Sequence, residues 1–272
     1  MIQNKKSLIV IGIISILFHF IVSATPLLNF TSPTPENTIS TTNTSIEINA
    51  SINEANLNEL IYNWNGTNYT IYNNSLILMM NLDNISVLNE NSTHVVDVSM
   101  SGNNGTIQGN ANIDLFGGKY GGAFNFDGVD DYIIVPDSEI FDTGNQITTS
   151  AWIKTNFSNQ TAIGIVLHDN SRYKWLLYFT GGSTFDSLSF YINSSSGVKS
   201  AGCDYAEGAV ADNQWHLLTG TYDRTLSSKR IKIYYDGVQC GTADGYDEPI
   251  TEGDEGVWIG RWGGEIFQWI NR

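Results

Sequence analysis

The segment Lys119 to Pro136, KYGGAFNFDGVDDYIIVP, constrains this chain more than any other. Two short alternating runs, Ala123-Phe124-Asn125-Phe126 and Tyr132-Ile133-Ile134-Val135, flank the corner Asp127-Gly128-Val129-Asp130-Asp131. Successive side chains in a strand point to opposite faces, so Phe124 shares a face with Phe126, and Tyr132 with Ile134. Asp-Gly between alternating runs favours a turn, because Gly accepts positive φ and Asp bonds its own backbone. The segment is therefore predicted to be an antiparallel hairpin with an acidic turn at a sheet rim.

The same pattern recurs along the chain. A larger domain is expected to start near Ser75 with the run Leu76-Ile77-Leu78-Met79-Met80-Asn81-Leu82. Strands are predicted at Ile147 to Lys154, Ala162 to His168, Lys174 to Phe179, Ser187 to Ile192, Gln214 to Tyr222, Arg230 to Tyr235 and Val257 to Trp262. Most are separated by Gly, Asn, Asp or Ser clusters, and no segment has convincing helical periodicity. The 26 glycines, with abundant Ser, Thr and Asn, fit strands and turns. Many short strands with turn punctuation predict an all-β antiparallel fold, a two-sheet sandwich or jelly roll, over residues 75–272.

Two stretches precede it. Residues 1–24 have the form of a signal peptide: Lys5 and Lys6, an apolar run from Leu8 to Val22, then Val22-Ser23-Ala24. The run is short for a bilayer span of about 20 residues, and no second hydrophobic span follows. A secreted or cell-surface location is expected. Residues 25–74 hold a few strands, around Ser45 to Ile52, and a hairpin of Leu60-Ile61-Tyr62-Asn63-Trp64 and Tyr69-Thr70-Ile71-Tyr72 across Asn65-Gly66-Thr67-Asn68. These are too few to close a sandwich of about seven strands. The stretch resembles the front half of the small immunoglobulin-like modules of archaeal and bacterial surface proteins.

Charge narrows the partners. Thirteen basic and 28 acidic residues give a net charge of −15, which argues against nucleic acid, whose phosphates demand clustered Lys and Arg. It suits an extracellular protein among salt or divalent cations. In an oxidising compartment Cys203 and Cys240 would close a loop of about 36 residues, adding roughly 3–4 kcal/mol; two reduced buried thiols are the other reading. Asn-x-Ser/Thr acceptors are dense, among them Asn65, Asn84, Asn91, Asn104 and Asn193. Export would open them to glycosylation, although an Asn- and Thr-rich composition also produces such triplets by chance.

Ordered together, DVSMSGNNGTIQG at 97–109, GGKYGGAFNFDGVDDYIIVP at 117–136, ITTSAWIKT at 147–155, NQWHLLTGTYD at 213–223 and IKIYYDGVQCG at 231–241 resemble the laminin-G-like (concanavalin A-like lectin/glucanase) jelly-roll family. VWIGRW at 257–262 resembles that family's penultimate strand. The family closes with a strand of the type F-x-G-x-I-D-E-V-x-I-Y/W-N-R. Here Gly264 to Arg272 is compressed and lacks the Asp-Glu pair, so a truncated form of a longer surface protein is expected.

The resemblance implies two chemistries. The fold family includes glucanases, yet the chain has no E-x-D-x-x-E strand pattern to supply the two carboxyls about 5–5.5 Å apart that retaining hydrolysis needs. It has no H-E-x-x-H or G-x-S-x-G either. The clusters Asp247-Glu248 and Glu252-Gly253-Asp254-Glu255 are expected in a solvated loop. Laminin-G-like modules often carry a rim calcium. Asp97 with Asn103, and Asp127, Asp130 and Asp131, offer clustered oxygens of the kind a hard cation takes, or else cap turns. For sugar stacking the candidates are Tyr173, Trp175, Tyr205 and Trp262, whose other reading is packing. Trp152 and Trp215, within strands, are expected in the core. The favoured expectation is a non-catalytic surface module that binds glycan or protein. The alternatives are a structural surface-layer or spacer protein and, behind both, a glycoside hydrolase.

Overall fold

The computed structural model describes residues 27–32, 34–35, 48–53, 59–64, 66–84, 86–109, 111–156, 162–169, 173–181, 185–262 and 265–266. The expected export segment at 1–24, the sequon residue Asn65 and the last residues, 267–272, lie outside the described residues. The chain divides into two compact units, Met1–Asn73 and Asn74–Arg272.

In the first unit β1 (Leu27–Thr31) pairs antiparallel with β2 (Asn49–Asn53). β3 (Leu60–Trp64) and β4 (Thr67–Tyr72) form the hairpin that the Asn-Gly signal predicts. Gly66 turns at φ 83°, and its N–H donates to Asn63 Oδ1 at 3.2 Å.

The second unit is a sandwich of two antiparallel sheets. Its larger sheet contains β5 (His94–Val95), β6 (Gly105–Gln108), β9 (Tyr132–Val135), β11 (Ala162–His168), β12 (Trp175–Thr180), β13 (Phe185–Ser194), β14 (Gly197–Ala206) and β18 (Val257–Ile259), in the order β14-β13-β12-β11-β18-β9-β6-β5. The smaller sheet is β10 (Gln146–Lys154), β15 (Trp215–Asp223), β16 (Ile231–Tyr235) and β17 (Val238–Ala243), side by side in that order. Alternate residues meet between the sheets: Ile147 and Ile153 of β10, Leu218 and Tyr222 of β15 and Ile231 and Ile233 of β16, with Leu177, Phe179, Leu188, Phe190 and Ile192 of the larger sheet. All-β architecture, antiparallel pairing and strand spacing thus follow the two-residue period of the sequence.

The Lys119–Pro136 segment differs from its expected hairpin. β8 (Ala123–Asn125) pairs instead with β7 (Asn112–Asp114), while β9 lies between β6 and β18. The corner therefore carries the chain from one sheet to another. Asp127 Oδ1 accepts from the Val129 and Asp130 amides at 2.7 and 3.3 Å, and Asp131, buried, accepts from the Asp127 amide at 2.9 Å. These bonds set the turn without requiring that its flanking strands meet.

At one side of the sandwich the edge strands β14 and β17 are joined by the Cys203–Cys240 disulfide, with Cα atoms 5.7 Å apart. A Cβ at Gly241 would collide with the Gly202 carbonyl oxygen, so the two edges approach as closely as backbone allows. On the same flank Asp186, fully buried, accepts from the Val210 and Ala211 amides at 2.8 and 3.1 Å. Asp186→Ala would strand both amides and should cost about 2–3 kcal/mol of unfolding free energy, measured by urea denaturation.

Candidate ligand-binding site

The inward residues of β10 are odd-numbered and those of β15 even-numbered, so Trp152, Trp215 and Leu217 fall on the solvent side of the smaller sheet. The register sets Trp152 opposite Leu217 and Lys154 opposite Trp215. Beside them Ser150 Oγ and Thr219 Oγ1 share a hydrogen bond of 2.8 Å.

A glycine-rich loop from the β7–β8 connection borders this face. Its turn is fixed by Phe116 N–H donating to Asp114 Oδ1 (3.1 Å) and Gly118 N–H donating to the Gly121 carbonyl (3.1 Å). A Cβ at Gly118 would strike the Gly122 carbonyl. Trp215 Nε1–H donates to the Gly117 carbonyl at 3.1 Å, tying the loop to the sheet. The loop brings Lys119 Nζ to 4.7 Å from the Trp152 ring centroid, and Tyr120 meets the same ring edge-on at 6.0 Å. A recess of about 330 Å3 results, lined by Lys119, Trp152, Trp215, Leu217, Asp236 and Gly237. Trp152 is 36% exposed and Tyr120 67%.

Asp236 is held from behind. Its Oδ1 accepts from the Leu217 amide at 2.8 Å, and its Oδ2 lies 2.8 Å from His216 Nδ1. His216 Nε2 lies 3.1 Å from Asp212 Oδ1, and the ring stacks on Tyr235 at 4.8 Å. Burial pushes the Asp236 carboxyl up, but the His216 and Leu217 bonds, with the charges of His216 and Lys119, outweigh it and hold it below its ordinary value.

The residues selected from sequence are dispersed. Trp175 is 3% exposed, its ring 5.7 Å from that of His168, so it offers no face to a ligand. Tyr205 is half-buried against Tyr235 at 4.8 Å; Tyr173 sits in a left-handed conformation at φ 42°; Trp262 belongs to β19 (Arg261–Trp262), which pairs with β20 (Glu265–Ile266). Trp152 and Trp215, expected inside, line the recess instead. Their phase shows it: Ile147, Thr149 and Ile153 alternate inward, and Trp152 is one residue out of step.

Asp97 is committed to the fold. Its Oδ1 accepts from the Met79 and Ser99 amides, both at 2.9 Å, and its Oδ2 from Ser99 Oγ and the Asn103 amide at 2.7 and 2.8 Å. Asn103 Nδ2–H donates to the Ile77 carbonyl at 2.9 Å. Four bonds occupy the Asp97 carboxylate, one of them from Met79 of the 76–82 segment. At the corner Asp127, Asp130 and Asp131 bring carboxylate oxygens within 4.8 Å of one another, a group that could hold a hard cation, while Asp127 Oδ1 and Asp131 Oδ2 also accept backbone amides of the turn. Of the sequon residues, Asn91 and Asn104 are exposed, and Asn84 and Asn193 half-buried. Asn104 Oδ1 accepts from the Asp97 amide at 2.9 Å.

The profile of the concanavalin A-like lectin/glucanases superfamily matches residues 127–268, just over half of the chain. The chain belongs to this superfamily. No curated protein matches it in sequence. Among solved structures, the concanavalin A-like unit is similar to HCR/D-Sa-GBL1/C, with a TM-score of 0.52 and 16% identity over 68% of this chain and 43% of that one. It is also similar to the binding domain of botulinum neurotoxin DC in complex with rat synaptotagmin II, with a TM-score of 0.50, 16% identity, and 68% and 44% of the two chains covered. A botulinum neurotoxin type C structure, whose cell entry depends on two ganglioside molecules, gives 0.50, 17%, 71% and 44%. The chain spans less than half the length of these neighbours, and the likeness establishes the shared fold.

One buried titratable group in the concanavalin A-like unit carries a pH signature. His168 is 1% exposed, and its Nε2 lies 3.8 Å from Asp137 Oδ1. Burial lowers its pKa, against the opposing pull of Asp142, Asp137 and Asp169. Below about pH 6.5 the unfolded chain takes up a proton that the folded chain refuses, so stability falls with pH from there downward. The slope should reach at most about 1.4 kcal/mol per pH unit, and His168→Leu should flatten it in melting curves recorded from pH 7 to 5.

Proposed function

We propose that this chain is an exported, non-catalytic recognition module of the cell surface. It binds a glycan or protein at the recess between the glycine-rich loop and the smaller sheet. The observation that carries this reading is the ring of Trp152 on the solvent side of the smaller sheet, which lines the recess together with Trp215, Lys119 and Asp236. A pyranose or an aliphatic side chain stacks on such a ring, and the polar rim fixes its orientation. The neurotoxin neighbours, one bound to a protein and another dependent on gangliosides, agree with a binding role for this fold. The disulfide agrees with an oxidising, extracellular setting.

Hydrolysis fits less well. Glycosidases flank the scissile bond with two carboxyl groups. Asp236 is the carboxylate among the lining residues, and it is bonded to His216 and the Leu217 amide. The Asp127, Asp130 and Asp131 corner is proposed as a calcium site that assists the module from the rim. Glycan-array binding of the full chain, with and without EDTA, tests both points. Retention of defined glycans is expected, and a loss in EDTA that calcium restores would assign the cation. No retention in either condition would favour the structural spacer reading.

A further inference from the structure

The ring that should receive a ligand is already covered by a cation of the same chain. Lys119 Nζ sits 4.7 Å from the Trp152 centroid, where the apolar face of a sugar would otherwise stack. The lysine is exposed, and its loop is held to the sheet by the Trp215–Gly117 bond. Three features make the position favourable to positive charge. The indole face is the negative pole of its quadrupole. Asp236 lines the same recess, and the Lys119 charge acts on its carboxyl. The chain as a whole carries −15, which concentrates cations at its surface and disfavours anions.

We propose that the recess selects ammonium groups and that its ligand is an amine-bearing glycan, a polymer containing free hexosamine, whose ammonium displaces Lys119 from Trp152. This rests on the recess being the binding site. A neutral pyranose would have to evict Lys119 without replacing its charge, and a carboxylated sugar would face Asp236 in a negative field. An amino sugar supplies both the stacking face and the charge. Lys119 is then an internal competitor that keeps the ring covered until such a ligand arrives.

Isothermal titration of the full chain with glucosamine hexamer and with N-acetylglucosamine hexamer, at a pH where the amine is protonated, tests the proposal. The amine form should bind about tenfold more tightly, with the gap narrowing at high salt. Lys119→Ala should bind the amine hexamer more tightly than the parent does, and Trp152→Ala should lose binding to both. Equal or tighter binding of the acetylated hexamer, lost in Trp152→Ala, would overturn amine selection while leaving the recess as the binding site. Weaker amine binding by Lys119→Ala would overturn the competitor role. Binding of an oligolysine peptide at the recess, with neither hexamer bound, would overturn the glycan assignment. Silence toward all three probes would overturn the proposal, and the glycan array would then judge the broader binding reading separately.

Discussion

Replacing both Cys203 and Cys240 with alanine should lower the unfolding free energy by about 3–4 kcal/mol, a melting-temperature loss of roughly 10 °C for a unit of this size. The bridge closes a loop of sequence separation 37 and joins β14, an edge of the larger sheet, to β17, an edge of the smaller one. Its removal frees the unfolded chain. In the folded state it also releases the flank where Gly202 and Gly241 bring two backbones together without side chains to fill a gap. Urea denaturation of the double variant, and of the parent under reducing conditions, should give the same loss. A change below about 1 kcal/mol would mean that packing alone holds the two edges together.

The second large effect is on binding. Trp152→Ala should weaken ligand affinity about 30-fold or more, the loss typical of a buried aromatic anchor at a binding surface. It should leave stability nearly unchanged, because the ring lies on the solvent side of β10 and is outside the core cluster. Trp258→Ala is the matched control. That indole is on the larger sheet, stacked on Tyr132 at 5.2 Å and covered by Arg261, and its loss should leave affinity intact.

The fold was legible because a sandwich writes its inside and outside into every second residue. Ile231 and Ile233, or Ile147 and Ile153, declare the core face without any knowledge of their partners. Strand pairing was less legible. The Asp127 corner has the chemistry of a hairpin turn, yet β9 pairs with β6 and β18, because the turn's own hydrogen bonds do not specify which strand comes alongside. The two cysteines pointed to a disulfide, with free thiols as the other reading because sequence does not bring Cβ atoms together, and the structure joins them.

The site was legible in part. Trp152 was expected in the core, as tryptophan's usual burial suggests, although its phase against Ile147, Thr149 and Ile153 carries the outward placement that the structure shows. What sequence could not supply is the position of Lys119. It is far from Trp152 along the chain and reaches the ring only through a loop that Gly118 and the Trp215–Gly117 bond hold in place. Asp97 shows the converse: a carboxylate that resembles a metal ligand in sequence is occupied by the Ser99 and Asn103 amides of its own loop and by the Met79 amide of the 76–82 segment.

Receipt of ligand on the outer face of the smaller sheet would register in the indole N–H resonances of the seven tryptophans during titration with a glycan retained on the array. Trp152 and Trp215 should shift in a saturable manner while Trp175 and Trp258 remain still. Saturable shifts at Trp258 with Trp152 and Trp215 unmoved would contradict the account.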